Sequence, residues 1–360
     1  MKPGKTPASP WGARGRAGCR SAYKSPRLAS SPMANPLVKY ADELKDLLRG
    51  MGLLAGYVPA ALIPARLDAP SINALAWLLF RLRPGKVSAF SERMARTLGE
   101  RPGERDLSKE AKNHYQMVLE GSWARVRNLH ERGWKPKTSV EGLDWLEAGR
   151  AAGAGTILWR MPFGSTLTVK AGLYGRGVPI VHLSQRYHRA SSRVWTSIRV
   201  LCPLFRRAED WYLVERVIIP GDGSTAKVMR TLLDRLKNGN AVVSIMGNTL
   251  GTQNTWTRFF DGWAGFAIGS PALAWKAGSA LLPVFSVREG TGRHRVVIQE
   301  PIAVDRTLPR KAFVKKATEE FSERLQDAIR QYPGSWKDWG RFWSRAGAYE
   351  MQTDAGLEED

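Results

Sequence analysis

Residues 153–173 read GAGTILWRMPFGSTLTVKAGL, and the fold class turns on them. Thr156, Ile157, Leu158 and Trp159 are β-branched or bulky, which predicts a buried strand. Pro162 and Gly164 end that strand, and Ser165 or Thr166 is placed to cap a helix over 166–173. A strand that stops at a tight turn and opens a helix is where α/β proteins place their chemistry. This turn holds no His, Asp, Glu or Cys. Proton transfer here has no local owner.

Downstream, strand patterns alternate with helix patterns. Residues 178–183, 214–219, 241–246 and 280–285 read as strands. Residues 191–201, 225–237, 269–277 and 310–331 read as helices, the first of them basic and the last long and amphipathic. Residues 295–299 predict a strand antiparallel to its neighbour. Upstream, 140–149 gives a short strand and a helix that lead into the turn. The expected fold is α/β: a mixed, mostly parallel sheet flanked by helices, with a helical, membrane-facing N-terminal region.

The expected organisation is a disordered basic tail over 1–35, a helical membrane-associated region over 36–135, an α/β domain over 136–345 and a disordered acidic tail over 346–360. The first 32 residues contain no acid, so they fit a tail, translated sequence ahead of a start at Met33, or a transit peptide. Helical patterns over 36–84 are interrupted by Arg49, Arg66, Arg81, Arg83 and Lys86, cations suited to lipid phosphates. The longest uncharged apolar stretch, 50–65, is short and contains Pro59 and Pro64, so it suits an interface better than a span. On 89–132, Leu119, Trp123 and Val126 are spaced to share a buried face, with Glu120 beside them as a paired structural group.

A formal charge of +22 calls for an anionic partner. The anionic membrane surface fits; nucleic acid lacks any interleaved aromatic and basic motif. Cys19 and Cys202 form neither a disulfide framework nor a metal site, and no motif calls for a metal or cofactor. The GAG at 153–155 precedes its strand, so it is not a dinucleotide fingerprint, and GDGSTAK at 221–227 lacks P-loop spacing. His182 lies within a strand and His188 just after it, beside Arg186 and Arg189, whose charges favour a neutral imidazole able to act as a base. Arg186, Arg189, Arg193 and Arg199 form a basic set whose forks suit phosphate or carboxylate oxygens.

Three pieces carry a family resemblance: VEGLDWLEAGRAAGAGTIL, RFFDGWAGFAIGSPALAWKAGSALLPVFSVR followed by IQEPI, and YPGSWKDWGRFW. From about 140 to 343 their order resembles the late acyltransferases of lipid A biosynthesis, a lysophospholipid-acyltransferase-like family. The resemblance implies a peripheral or monotopic protein on the cytoplasmic face of the inner membrane. It implies an acyl-CoA or acyl-carrier-protein donor, a lipid hydroxyl acceptor, and substrate contacts at Phe163, Gly164, Ser165, Phe260, Asp261 and Gly262. In the family, a His-x4-Asp/Glu pair at the first turn takes the acceptor proton. Here Pro162 and Leu167 occupy those positions, and neither can transfer a proton. A third family motif places an Asp after a later strand, where this chain has Gly247 and Asn248. Two functions are open: transfer through another base (His182, His188 or Asp261), or a catalytically inactive member that binds acyl lipid as a scaffold or regulator.

Overall fold

The computed structural model describes residues 40, 44, 47, 48, 51, 62–100, 106–129, 133–186, 197–220, 225–247 and 253–340. The expected tails therefore lie outside the described residues, as do His188, Arg189, Arg193 and most of the basic helix expected over 191–201.

After a 3-10 turn (Ala65–Leu67) come the helices α1 (Asp68–Leu82), α2 (Pro84–Leu98) and α3 (Ser108–Arg127). Then come β1 (Lys137–Glu141), α4 (Leu143–Ala151), β2 (Thr156–Arg160), α5 (Thr166–Tyr174) and β3 (Ile180–Ser184). A π-helical turn (Ser197–Leu201) leads into α6 (Cys202–Asp210), and then β4 (Glu215–Ile218), α7 (Ala226–Gly239) and β5 (Val242–Met246). A hairpin of β6 (Asn254–Phe259) and β7 (Gly262–Ala267) precedes α8 (Gly269–Ala277), β8 (Ala280–Gly290), β9 (Arg293–Ile298) and α9 (Arg310–Gln331).

Seven strands form one sheet in the order β1-β9-β8-β2-β5-β3-β4. Every pair in it is parallel except β8 with β9. The expected α/β class, with its antiparallel strand late in the chain, is the observed one. β2 is central and buried at every position, as a strand covered on both faces must be. On one face Ile157, Trp159, Val243 and Ile245 pack against helices that include α7, α8 and α9, with Trp159 stacked on Phe321 at 4.0 Å. On the other, Leu158, Val242 and Leu282 meet α4 and α5 through Leu146, Val169 and Leu173.

Two local features differ from the sequence expectations. The buried face of α3 consists of Ala111, His114, Met117, Glu120, Ala124 and Val126, while Leu119 and Trp123 are only partly buried. Glu120 enters that face because Arg288 and His294 pair with it there, and His114 enters it by packing its ring on Phe90 at 4.8 Å, so an apolar stripe alone misplaces it. The hairpin β6–β7 and helix α6 are additions to the expected elements; the hairpin packs against α9 through Ser322 Oγ, which donates to Arg258 O at 3.0 Å.

Candidate functional site

The turn after β2 is held in place by its own chemistry. Ser165 Oγ accepts from Thr168 N at 3.3 Å, the N-cap bond that starts α5. Gly164 has φ +60°, and a Cβ built on it would collide with Ser286 O on β8. Only glycine fits so close to a neighbouring strand.

The C-terminal end of the described chain closes over this turn. Phe163 forms an antiparallel bridge with Trp336. Gly164 N donates to Ser335 O at 2.6 Å, and Lys337 N donates to Pro162 O at 2.8 Å. Phe163 is only 2% exposed, its ring edge-on to Phe285 at 5.5 Å. Trp336 packs in turn on Phe259 and Trp339 at 5.6 and 4.6 Å. Aromatic rings fill the space beside Phe163.

Pro162 is half-buried, with its carbonyl engaged by the closing segment. Leu167 is buried in a cluster with Ile72, Ala124, Trp134 and Tyr212. The position where the resemblance calls for an acid is thus a hydrophobic contact between α5 and the N-terminal helices. A carboxylate there would be desolvated among apolar side chains, at a cost of about 1–3 kcal/mol or more.

Trp336 also gathers the second motif. Phe260 has φ +52° at the tip of the β6–β7 hairpin, its N–H donating to Gln326 Oε1 at 2.7 Å. Its ring lies 6.3 Å from Trp336, with the Arg330 guanidinium 5.5 Å above it. Asp261 is exposed and Gly262 opens β7. The structure therefore brings Phe163, Gly164 and Phe260 together around Trp336.

A charged cluster lies under α5 and α6, where β2, β5, β3 and β4 run side by side. Lys170 Nζ donates to Glu209 Oε2 at 2.5 Å, and Arg216 Nη2 reaches the same oxygen at 3.4 Å. Arg160 Nη1 donates to Ser244 Oγ at 3.2 Å, and His182 Nδ1 lies 3.1 Å from Ser244 O. Arg216 Nη1 donates to Ser184 Oγ at 3.1 Å. Lys170 and Arg160 are almost completely buried. Burial, against the pull of Glu209, pushes the Lys170 ammonium down to about 8 and the Arg160 guanidinium down to about 10. Burial, followed by the charge of Lys170, holds His182 well below the ordinary histidine range, so its imidazole is neutral.

Of the basic set expected to bind an anion, only Arg186 and Arg199 are among the described residues. Arg186 contributes its carbonyl, which accepts from Arg206 Nη2 and from Cys202 Sγ at 3.6 Å. Arg199 is exposed in the π-helical turn. Sequence reasoning missed Lys170, Glu209, Arg216 and Arg160. The one local signal was Lys170 itself, a lone cation among the apolar residues of α5.

No helix among the described residues is long and apolar enough to cross a membrane, and no group of His, Cys, Asp and Glu among them could hold a metal ion. No protein-family model matches the chain, and no curated protein matches its sequence. Among solved structures, the chain is similar to the crystal structure of the 1-acyl-sn-glycerophosphate (LPA) acyltransferase PlsC from Thermotoga maritima. The TM-score is 0.33 and the identity 14%, over 76% of this chain and 100% of that one. A likeness this distant assigns neither an activity nor a residue role.

Proposed function

We propose that this chain is a membrane-associated, acyltransferase-like protein that binds a fatty acyl lipid without carrying out transfer by a His–acid dyad. One observation carries the reading: Pro162 and Leu167 hold the dyad positions, the first bonded to the closing segment and the second buried in apolar packing. Losing a general base forfeits about 10²–10⁴-fold in rate. The finer placement, beside the late acyltransferases of lipid A biosynthesis with a thioester donor and a lipid hydroxyl acceptor, rests on the family-like pieces of sequence between about 140 and 343.

Membrane association is supported by α1. Ile72 and Ala76 face the protein, whereas Leu75, Leu78, Leu79, Leu82 and Trp77 are exposed, Trp77 by 66%. Arg66, Arg81 and Arg83 flank this face, as cations flank an interfacial helix. Leu75, Leu78, Leu79 and Leu82 form one exposed stripe, with Trp77 on a separate side of the helix, and an exposed apolar stripe of this kind marks an interaction surface. Purified protein is expected to sediment with vesicles of anionic phospholipid at low salt and to stay in solution with neutral ones. Trp77→Ser with Leu82→Ser should leave most of it in the supernatant. Full-length protein that fails to sediment with anionic vesicles would remove the membrane from the proposal.

A further inference from the structure

A cleft of about 610 Å³ opens between α1, α3 and the β8–β9 hairpin. It lies along β8 at Val287 and Arg288, next to Phe285 and Ser286, which contact the turn. No motif in the sequence pointed to it.

Its floor is a hydrogen-bond chain of fixed direction. Arg288 donates from Nε to Glu120 Oε2 at 2.8 Å, from Nη1 to Asn113 Oδ1 at 2.6 Å and Gln116 Oε1 at 3.3 Å, and from Nη2 to Thr291 Oγ1 at 2.6 Å. Having accepted that bond, the Thr291 hydroxyl donates onward to Asn73 Oδ1 at 2.6 Å. A guanidinium can only donate, so the amide oxygens of Asn113 and Gln116 must face it. Asn73 turns its Oδ1 to the Thr291 hydroxyl. None of the three amide NH₂ groups makes a hydrogen bond to a described residue; that of Asn113 lies against Gly334, and those of Asn73 and Gln116 are left to the cleft.

The acceptors are already in use. Glu120 also takes Gly292 N at 2.7 Å and His294 Nε2 at 2.8 Å. Glu110 accepts from Gly334 N at 3.2 Å, and Glu289 pairs with Arg295 Nε at 3.0 Å. Lys109 and Lys112 stand exposed at the rim with no ion pair among the described residues. Donors and positive charge are therefore in surplus. The opposite lip is apolar, formed by Trp77 and Phe80 of α1.

We infer that this cleft binds the headgroup of an anionic phospholipid. Lys109, Lys112 and the amides of Asn73 and Gln116 receive the phosphate and glycerol oxygens, and the chain lies along Trp77 and Phe80. This deepens the membrane reading by naming what the protein holds there. Testing it with lipid dispersed below its micelle concentration leaves the vesicle result free to stand or fall separately.

The probe is dihexanoyl phosphatidylglycerol, titrated calorimetrically beside dihexanoyl phosphatidylcholine and inorganic phosphate. The expected result is binding of phosphatidylglycerol that is tighter than either comparison ligand. Lys109→Glu with Lys112→Glu should weaken it at least about tenfold, about 1.4 kcal/mol. Both lysines are exposed, so the melting temperature should hold. Trp77→Ser should weaken the lipid and leave phosphate unchanged. Absence of binding, binding indifferent to the two charge reversals, or inorganic phosphate binding as tightly as the lipid would each overturn the assignment.

Discussion

Replacing Glu209 with Gln removes the carboxylate that Lys170 and Arg216 share. Glu209 and Lys170 are both buried, at 2.5 Å from each other, and Arg160 and His182 stand nearby with no second buried acid in the cluster among the described residues. Taking away one partner of a buried ion pair costs about 3–5 kcal/mol, because the other charge stays desolvated and unpaired. For an ordered region of this size that lowers the melting temperature by roughly 6–20 °C. The loss should depend on pH, and the sign comes from Lys170. Its folded-state value of about 8 lies below the ordinary 10.5, so between those values the unfolded chain binds a proton that the folded chain has released. Wild-type stability therefore rises with pH across that window, by up to about 1.4 kcal/mol per unit. Without Glu209 the ammonium is less favoured still, and shedding its proton relieves the variant. Thermal melts followed by circular dichroism should show a larger gap between wild type and variant at about pH 6 than at about pH 9.5. A variant within about 1 kcal/mol of wild type at the lower pH, or a gap independent of pH, would refute the reasoning.

Two further substitutions probe the turn and the Glu120 network. Gly164→Ala forces a Cβ onto Ser286 O at a left-handed backbone position, so a loss of more than about 3 kcal/mol is expected, with faster hydrogen exchange at Gly164 and Lys337; a melt within about 1 kcal/mol of wild type would contradict the close approach. Burial raises the Glu120 carboxyl, but the hydrogen bond from His294 and the charges of His294 and Arg288 outweigh it and set it below the ordinary 4.5. Its contribution is therefore present above the unfolded value and lost as pH falls through the folded one, and Glu120→Gln should flatten the acid limb of a stability titration while lowering stability near neutrality by about 3 kcal/mol. An unchanged acid limb would count against the pairing.

The strand, turn and helix over 156–174 were legible because every signal is local. A β-branched run meets Pro and Gly, and Ser165 caps the helix after them. The closing segment was not legible, because Trp336 meets Phe163 from a distant part of the chain and no spacing announces the bridge. In the hairpin of Asn254–Phe259 and Gly262–Ala267, the Phe260-Asp261-Gly262 tip resembles a family motif, while the second strand is short and rich in Gly and Ala, which weakens its signal. The charged cluster draws on β2, α5, β3, α6, β4 and β5, one or two residues from each. No single window contains enough of it to be recognised. The need of Glu120 for a structural counter-charge was legible in its helix, but Arg288 and His294 come from strands far along the chain.

On the proposed reading, the turn after β2, closed by the segment at Trp336 and without a His, Asp or Glu, carries out no acyl transfer. Thiol release from acyl-CoA and from acyl-carrier protein, measured with lysophospholipid and lipid A precursor acceptors, tests that claim most directly. No release above a heat-denatured control is expected with any donor and acceptor pair. Sustained release that depends on the acceptor and disappears in His182→Ala, while vesicle binding is retained, would contradict it.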